Sequence, residues 1–271
     1  MNSPEQPFSA IVLAADRELY DPVAQTAAVS CKALTPVSGR AMVLRVLDAL
    51  AAAREVGTRI LAGPAMASVV QNAELNSLVS SGQVQWLAPQ ATPSSSAFSV
   101  LQSLPKEVPV LVTTADHALL TAAMVDHFCV EARRSGRDVV AGVARHDLVA
   151  AAFPGTRRTV TRLRDGGYCG CNMFAFLTPQ ARLAADFWRK VEKERKKPLR
   201  IVRIMGPGAV VRYLLGRLTL EQALAGLSRR MQLKVGVVQM PFAEAAVDVD
   251  KVEDWLLVES VLAKNQQEAP L

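Results

Sequence analysis

Aromatic side chains are scarce, at 5% of the 271 residues. Ala, Val and Leu must therefore fill most of the core, and with 50% of the chain hydrophobic there are enough of them. Cysteine is scarce too. Cys31, Cys129, Cys169 and Cys171 lie scattered, which is no disulfide framework and fits a reducing compartment. Cys169-Gly-Cys171 has no second Cys or His pair spaced to complete a metal site, so it reads as reduced thiols on a strand. No run reaches the roughly 18 uninterrupted apolar residues of a membrane span. Residues 1–9 lack the basic start and apolar stretch of a signal peptide, and the expected location is the cytoplasm. Neither sign of charge dominates: 31 Lys and Arg against 25 Asp and Glu leave a formal +6. That excess suits an anionic ligand such as a nucleotide or phosphorylated metabolite, and is too small to imply nucleic acid.

What is present is an alternation. Residues 8–15 form a short apolar run that breaks at Asp16 and Arg17, the pattern of a buried strand and a loop. Helix spacing follows over 39–55, then a strand at 58–62 and a helix from Pro64 to about Val79. A strand at 84–87, a Ser-capped helix over 94–104 and a strand at 108–114 complete the first half. Four such alternations with short connections predict a mostly parallel sheet with helices on both faces. Further on, 138–144 reads as a strand. The segments 157–163 and 172–177 are separated by a glycine-rich stretch whose Gly166-Gly167 pair suggests a hairpin-like turn or a bulge. A helical region spans about 179–230, interrupted at Pro198 and Gly206-Pro207-Gly208. A strand at 233–241 and a helix ending near Lys264 close the chain. With no repeat and no clear linker, one domain is expected.

In open α/β sheets, ligands bind outside the carboxyl ends of the strands. Four features lie there. Lys32 stands in the loop after the first strand, before a helix: it can neutralise a phosphate chain or be simply solvated, while backbone N–H groups of that loop can cradle phosphate oxygens. Asp116 follows the strand at 108–114, and either holds Mg²⁺, which prefers carboxylate and phosphate oxygens, or caps a helix starting near Leu119. His117 beside it could assist. Asp248 and Asp250 share a side if their segment is extended, and one can complete a metal site with Asp116; alternatively Asp250 is an N-cap with Glu253 as its capping-box partner. The glycines of 166–170 permit close backbone approach to a ligand, and Asn172 offers a donor and an acceptor, unless the run is only a turn. Arg157 and Arg158 are either ligands of an acceptor phosphate or an exposed turn.

In order, Val12-Leu-Ala-Ala-Asp-Arg17, Lys32-Ala-Leu-Thr-Pro-Val-Ser-Gly-Arg-Ala-Met42, Ala115-Asp-His117, Gly170-Cys-Asn172 and Asp248-Val-Asp-Lys-Val-Glu-Asp254 resemble the motifs of the MobA-like NTP transferase family, over about residues 9–263. The resemblance implies a Rossmann-like, GT-A-like mixed sheet and a Mg²⁺-dependent nucleotidyltransferase. Leu13, Ala14, Ala15, Arg17 and Lys32 would bind the triphosphate, and Ser94, Ser95, Ser96 and Ala97 would sit near the base and ribose. Asp116 and Asp250 would hold Mg²⁺, with Asp248 in reserve. Gly170 and Asn172 would meet the acceptor, a phosphorylated small molecule or lipid. The reaction would join NMP to that acceptor and release pyrophosphate. One departure stands out: Ala14-Ala15-Asp16 replace the glycines of the family's L-A-G-G opening, and Asp16 would need a partner such as Arg17. A GT-A glycosyltransferase is the alternative, weakened because Asp116-His-Ala118 is not Asp-x-Asp. A nucleotide-binding protein without turnover is another. The Arg/Lys-rich region 182–230 reads as a helical insertion with a solvated basic face, or as a surface for peripheral membrane contact.

Overall fold

The computed structural model describes residues 6–15, 20–182, 184, 185, 187 and 206–268. Its strands are β1 (Phe8–Leu13), β2 (Pro36–Val37), β3 (Arg40–Ala41), β4 (Val56–Ala62), β5 (Gln85–Leu87), β6 (Val110–Thr114), β7 (Val139–Arg145), β8 (Thr161–Leu163), β9 (Gly166–Phe176) and β10 (Val235–Met240). The main sheet runs in the order β10-β7-β9-β6-β1-β4-β5, with β8 paired to β9. All its neighbours are parallel except β9, which is antiparallel to β6, β7 and β8. The sheet is therefore mixed and mostly parallel: the alternation predicted its parallel strands, and the family resemblance its mixed character.

β1 is buried along its whole length because both faces are covered. Its Ala10 and Val12 pack with the helices Met42–Ala52 and Ala122–Arg134, while Ile11 and Leu13 pack with the helix Pro93–Ser103 on the other face. Period-2 side-chain direction thus feeds two cores from one strand. β2 and β3 form a small separate hairpin that turns at Ser38 (φ 48°) and Gly39 (φ 73°). Two positive φ values in a two-residue turn match the right-handed twist of the flanking strands. The hairpin is anchored outside itself: both Glu259 carboxylate oxygens accept from the Ser38 N–H at 3.0 Å, and the Trp255 indole donates to the Pro36 carbonyl at 2.8 Å.

Several helix ends differ from expectation. The segment after Pro64 is two helices, Met66–Gln71 and Ala73–Ser80, because Asn72 breaks the first and caps the second through Leu75 N–H. The helix expected to be Ser-capped is capped by Thr92: Pro93, set at the first helical turn, fixes the start one residue before the serines. The helix expected near Leu119 begins at Ala122 with Thr121 as its cap, so Asp116 caps nothing there. Gly166 and Gly167 lie inside β9, and the turn falls on Arg164-Asp165. Of the region 179–230, helices are described at Pro207–Leu214 and Leu220–Met231. Arg189 to Met205, and Asp16 and Arg17, lie outside the described residues.

Candidate active site

The carboxyl ends of β1, β4 and β6 open onto a cavity of about 460 Å³. Its walls include Leu13 to Ala15 at the end of β1, Ala62 from β4, Thr114 to Asp116 at the end of β6, Pro93 and Ser96 from the helix Pro93–Ser103, and Lys32, Asp250 and Lys251. The open-sheet rule therefore leads to this cavity. Two wall residues went unread in the sequence, Asp21 and Pro22. Asp21 accepts from the Val23 and Ala24 N–H groups and Pro22 starts the short helix Pro22–Thr26, a cap-plus-proline signal that was legible.

Ala14 and Ala15, which stand where the family has glycines, have ordinary backbone angles. Neither Ala14 nor Ala15 lies in the left-handed region, so neither position demands glycine. The close approach falls instead on Gly63 of the neighbouring strand end (φ 81°), where a Cβ would stand 3.1 Å from the Ala15 nitrogen. Ala14 N–H is bonded to the Ala62 carbonyl at 3.0 Å.

Lys32, Asp116 and Asp250 meet at the cavity wall. Lys32 Nζ donates to Asp116 Oδ2 at 2.7 Å and to Asp250 Oδ1 at 3.1 Å. Burial opposes the lysine's charge, but the Asp116 carboxylate, seconded by Asp250, overrides it and pushes the ammonium up to about 12. The two carboxylates come from distant segments, tied together because Val249 N–H donates to the Asp116 carbonyl at 3.1 Å.

Asp248 lies on the other side of Val249. Its Oδ2 accepts from Asn172 Nδ2 at 2.9 Å, and Arg158 Nη1 lies 3.3 Å from its Oδ1. Arg158 also pairs with Asp254 at 3.1 Å, and its side chain is only 8% exposed. Burial, then repulsion from Asp116 and Asp250, push Asp248 up to about 6, against the pull of Asn172 and Arg158. The expectation that Asp250 and Glu253 form a capping box is corrected: Asp254 accepts from the Asp250 and Lys251 N–H groups, because it stands at the third position of the helix Val252–Glu268.

The remaining predicted residues divide. Ser96 lines the cavity and its Oγ accepts from Gln90 N–H at 2.9 Å, whereas Ser94 and Ala97 are wholly buried at 0% exposure and Ser95 bonds to Thr92. Asn172 is brought beside Asp248 with φ 48°. Gly170 is exposed opposite Val143, and Arg157 is exposed, so of the arginine pair only Arg158 is built into the site. His117 is 1% exposed, and burial holds its ring down to about 4 and hence neutral; it packs behind the cavity instead of facing it. Glu259 and Trp255, which anchor the hairpin next to Lys32, carried no sequence signal, since their targets lie 221 and 219 residues away.

Among the described residues no group of three or more His, Cys, Asp or Glu could hold a metal ion by itself, and no helix is long and apolar enough to cross a membrane. Two converging carboxylates are nevertheless the protein share expected at a Mg²⁺ site completed by substrate phosphates.

Residues 10–203 match the model of the MobA-like NTP transferase domain. A hypothetical transferase from Thermus thermophilus is 30% identical, with TM-score 0.75 over 92% of this chain and 99% of that one. The fold is shared at 16% identity with 4-diphosphocytidyl-2C-methyl-D-erythritol synthase from Anaerococcus prevotii (TM-score 0.57, 95% and 96% covered). The 2-C-methyl-D-erythritol 4-phosphate cytidylyltransferase of Thermus thermophilus shares it too, at 16% identity (TM-score 0.54, 95% and 99% covered). No curated protein gives a significant match. The matched segment ends before β10, so Asp248 to Asp254 joins it through the fold, by the Val249–Asp116 hydrogen bond.

Proposed function

This chain belongs to the MobA-like NTP transferase family and is a nucleotidyltransferase, and from that premise we propose that it transfers NMP from an NTP to a phosphorylated acceptor, releasing pyrophosphate. The observation that carries this reading is the meeting of Lys32, Asp116 and Asp250 at the wall of the cavity. Mg²⁺ fits the donor set: Asp116 and Asp250 present hard oxygen atoms to one point, while Asp248 is already engaged by Arg158 and Asn172. When bound, the ion would neutralise phosphate charge.

The chain's own residues do the rest. Leu13, Ala14 and Ala15 line the cavity, and Lys32 brings a cation for the triphosphate oxygens. Pro93 and Ser96 close the end where the base and ribose would lie. An acceptor phosphate oxygen attacks the α-phosphorus in line; the new P–O bond forms as the bond to pyrophosphate breaks. That oxygen is already anionic, so no strong general base is required, and catalysis rests on positioning and charge neutralisation. Asn172 and Arg158 border the acceptor side and shape it by holding Asp248.

The test is pyrophosphate release from each of the four NTPs with Mg²⁺ and a panel of sugar-phosphate, cofactor-phosphate and lipid-phosphate acceptors. Release with at least one pair, lost on chelation, supports the reading. Failure of every NTP to bind by calorimetry sinks it, and release of nucleoside diphosphate from a nucleotide sugar would assign a glycosyltransferase instead.

A further inference from the structure

The edge of the sheet that carries the cavity also carries an apolar helix face open to solvent. The helix Pro207–Leu214 has no buried side chain. Val211, Leu214 and Leu215 are 55%, 66% and 60% exposed, and spacings of three and four residues set them on one face. The helix stops at Gly216 (φ 65°), and the chain folds back so that Arg217 N–H donates to the Arg212 carbonyl at 2.7 Å. Arg212 and Arg217, both exposed, thus stand on either side of Leu214-Leu215. Main-chain bonds fix this corner to the sheet. Arg164 N–H donates to the Leu218 carbonyl at 2.9 Å, and both Asp165 carboxylate oxygens accept from Leu220 N–H at 3.1 Å. Arg164 and Asp165 lie between β8 and β9, at the carboxyl end of β7, since Tyr168 of β9 pairs with Arg145. The helix therefore sits at the edge where β1, β4 and β6 open onto the cavity. Exposed Arg162 and Arg164 add to the charge there, which Asp165 and Glu221 offset only in part.

We infer that this corner docks on an anionic phospholipid bilayer, with Val211, Leu214 and Leu215 entering the headgroup boundary and the four arginines meeting lipid phosphates. The chemistry selects that partner. Aliphatic side chains on one helix face, flanked by guanidinium groups, suit a surface that is apolar beneath and negative above. Arginine stems are long enough to lie along the apolar layer and keep the charge at the phosphates. A nucleic acid would gain from the arginines but nothing from the three aliphatic side chains, which offer no stacking platform. A second copy of this chain fits worse, because a two-fold contact sets the same patch against itself, arginine facing arginine. Docked in this way, the chain holds the carboxyl edge of its sheet, and the cavity with it, near the bilayer. The inference stands on this surface and does not depend on the transfer reaction proposed above.

The test is co-flotation of the full chain with vesicles of equimolar phosphatidylglycerol and phosphatidylcholine, against vesicles of phosphatidylcholine alone. Wild type should bind the anionic vesicles at least about tenfold more tightly than the neutral ones. Leu214→Ser combined with Leu215→Ser should weaken that binding at least about tenfold, through lost apolar insertion. Arg212→Gln combined with Arg217→Gln should weaken it by about as much, through lost charge. All four side chains are exposed at the helix end, so the melting temperature of each variant should match wild type. Arg54→Gln combined with Arg134→Gln removes the same charge at the opposite edge of the sheet, before β4 and before β7, and should change binding by no more than about twofold. Failure of wild type to float with anionic vesicles overturns the inference. An unchanged affinity in the leucine variant does so too, and an equal loss in the Arg54 and Arg134 variant reduces the binding to diffuse charge. A concentration-dependent dimer in the ultracentrifuge, abolished by the leucine variant while vesicle binding persists, would assign the face to a second copy instead.

Discussion

The two sides of Val249 are built differently. Asp248 faces inward, where Asn172 donates to it and a nearly buried Arg158 pairs with both it and Asp254. Asp250 has a side chain 58% exposed and shares Lys32 with Asp116 beside an open cavity. In the first region every partner is another residue of the chain, and the groups satisfy one another permanently. In the second, Lys32 and Asp116 are 16% and 18% exposed, less than Asp248 at 28%, but with Asp250 they line the cavity, where a ligand can exchange partners with them. One residue of separation thus divides a carboxylate locked into the structure from one open to a ligand, and what divides them is access.

The sharpest way to break that comparison is by activity. Asp116→Ala should lower NMP transfer by about 10³-fold, the scale of losing a main electrostatic group, and should also cost about 2–3 kcal/mol of stability, because the largely buried Lys32 loses its 2.7 Å partner. A loss as large from Asp248→Asn, measured as pyrophosphate release at saturating NTP, would erase the distinction. The next effect is on stability. Arg158→Met strips two carboxylates of their cation and should cost about 2–4 kcal/mol by urea denaturation, whereas exposed Arg157→Ala should stay within about 0.5 kcal/mol.

The pH dependence is a subtler discriminator. Asp248 is raised from 3.8 to about 6 in the folded state, so the native chain holds this proton more tightly than the unfolded one. Its contribution to stability is therefore full below the unfolded value and falls as pH rises toward 6, by up to about 3 kcal/mol. Neutral His117, depressed from 6.5 to about 4, works the other way: its contribution is lost as pH falls through that window. Asp248→Asn removes the opposing slope, so stability measured by denaturation at stepped pH should climb from pH 4 to 6 more steeply in the variant than in wild type. An unchanged slope would mean that Asp248 holds its proton no more tightly in the folded chain than in the unfolded one. Smallest of all, Trp255→Phe deletes the indole bond to the Pro36 carbonyl and should cost about 1 kcal/mol, read from the thermal midpoint.

Particular residues show where the sequence was readable. Apolar runs at 8–13 and 110–114 marked the central strands because a strand covered on both faces must be hydrophobic throughout. The carboxyl-end rule then pointed to Lys32 and Asp116, which both line the cavity. Helix starts were less legible. Thr92, Ser94, Ser95 and Ser96 are all good caps, and the choice fell to the residue that Pro93 follows. The close packing of Gly63 (φ 81°) against the Ala15 backbone was not legible, because the two lie on neighbouring strand ends far apart in the chain.

By itself the sequence determined the alternation of the main parallel strands with the longer helices, and with it the loops that carry Lys32, Asp116 and Asp250, since hydrophobic periodicity is a local property. Only the tertiary structure decided which aspartate meets the lysine and which is locked away. Those partners lie 84 and 218 residues from Lys32, and bringing them together depends on strand order and on the single main-chain bond between Val249 and Asp116. No local preference encodes a closure of that length; the packed sheet supplies it.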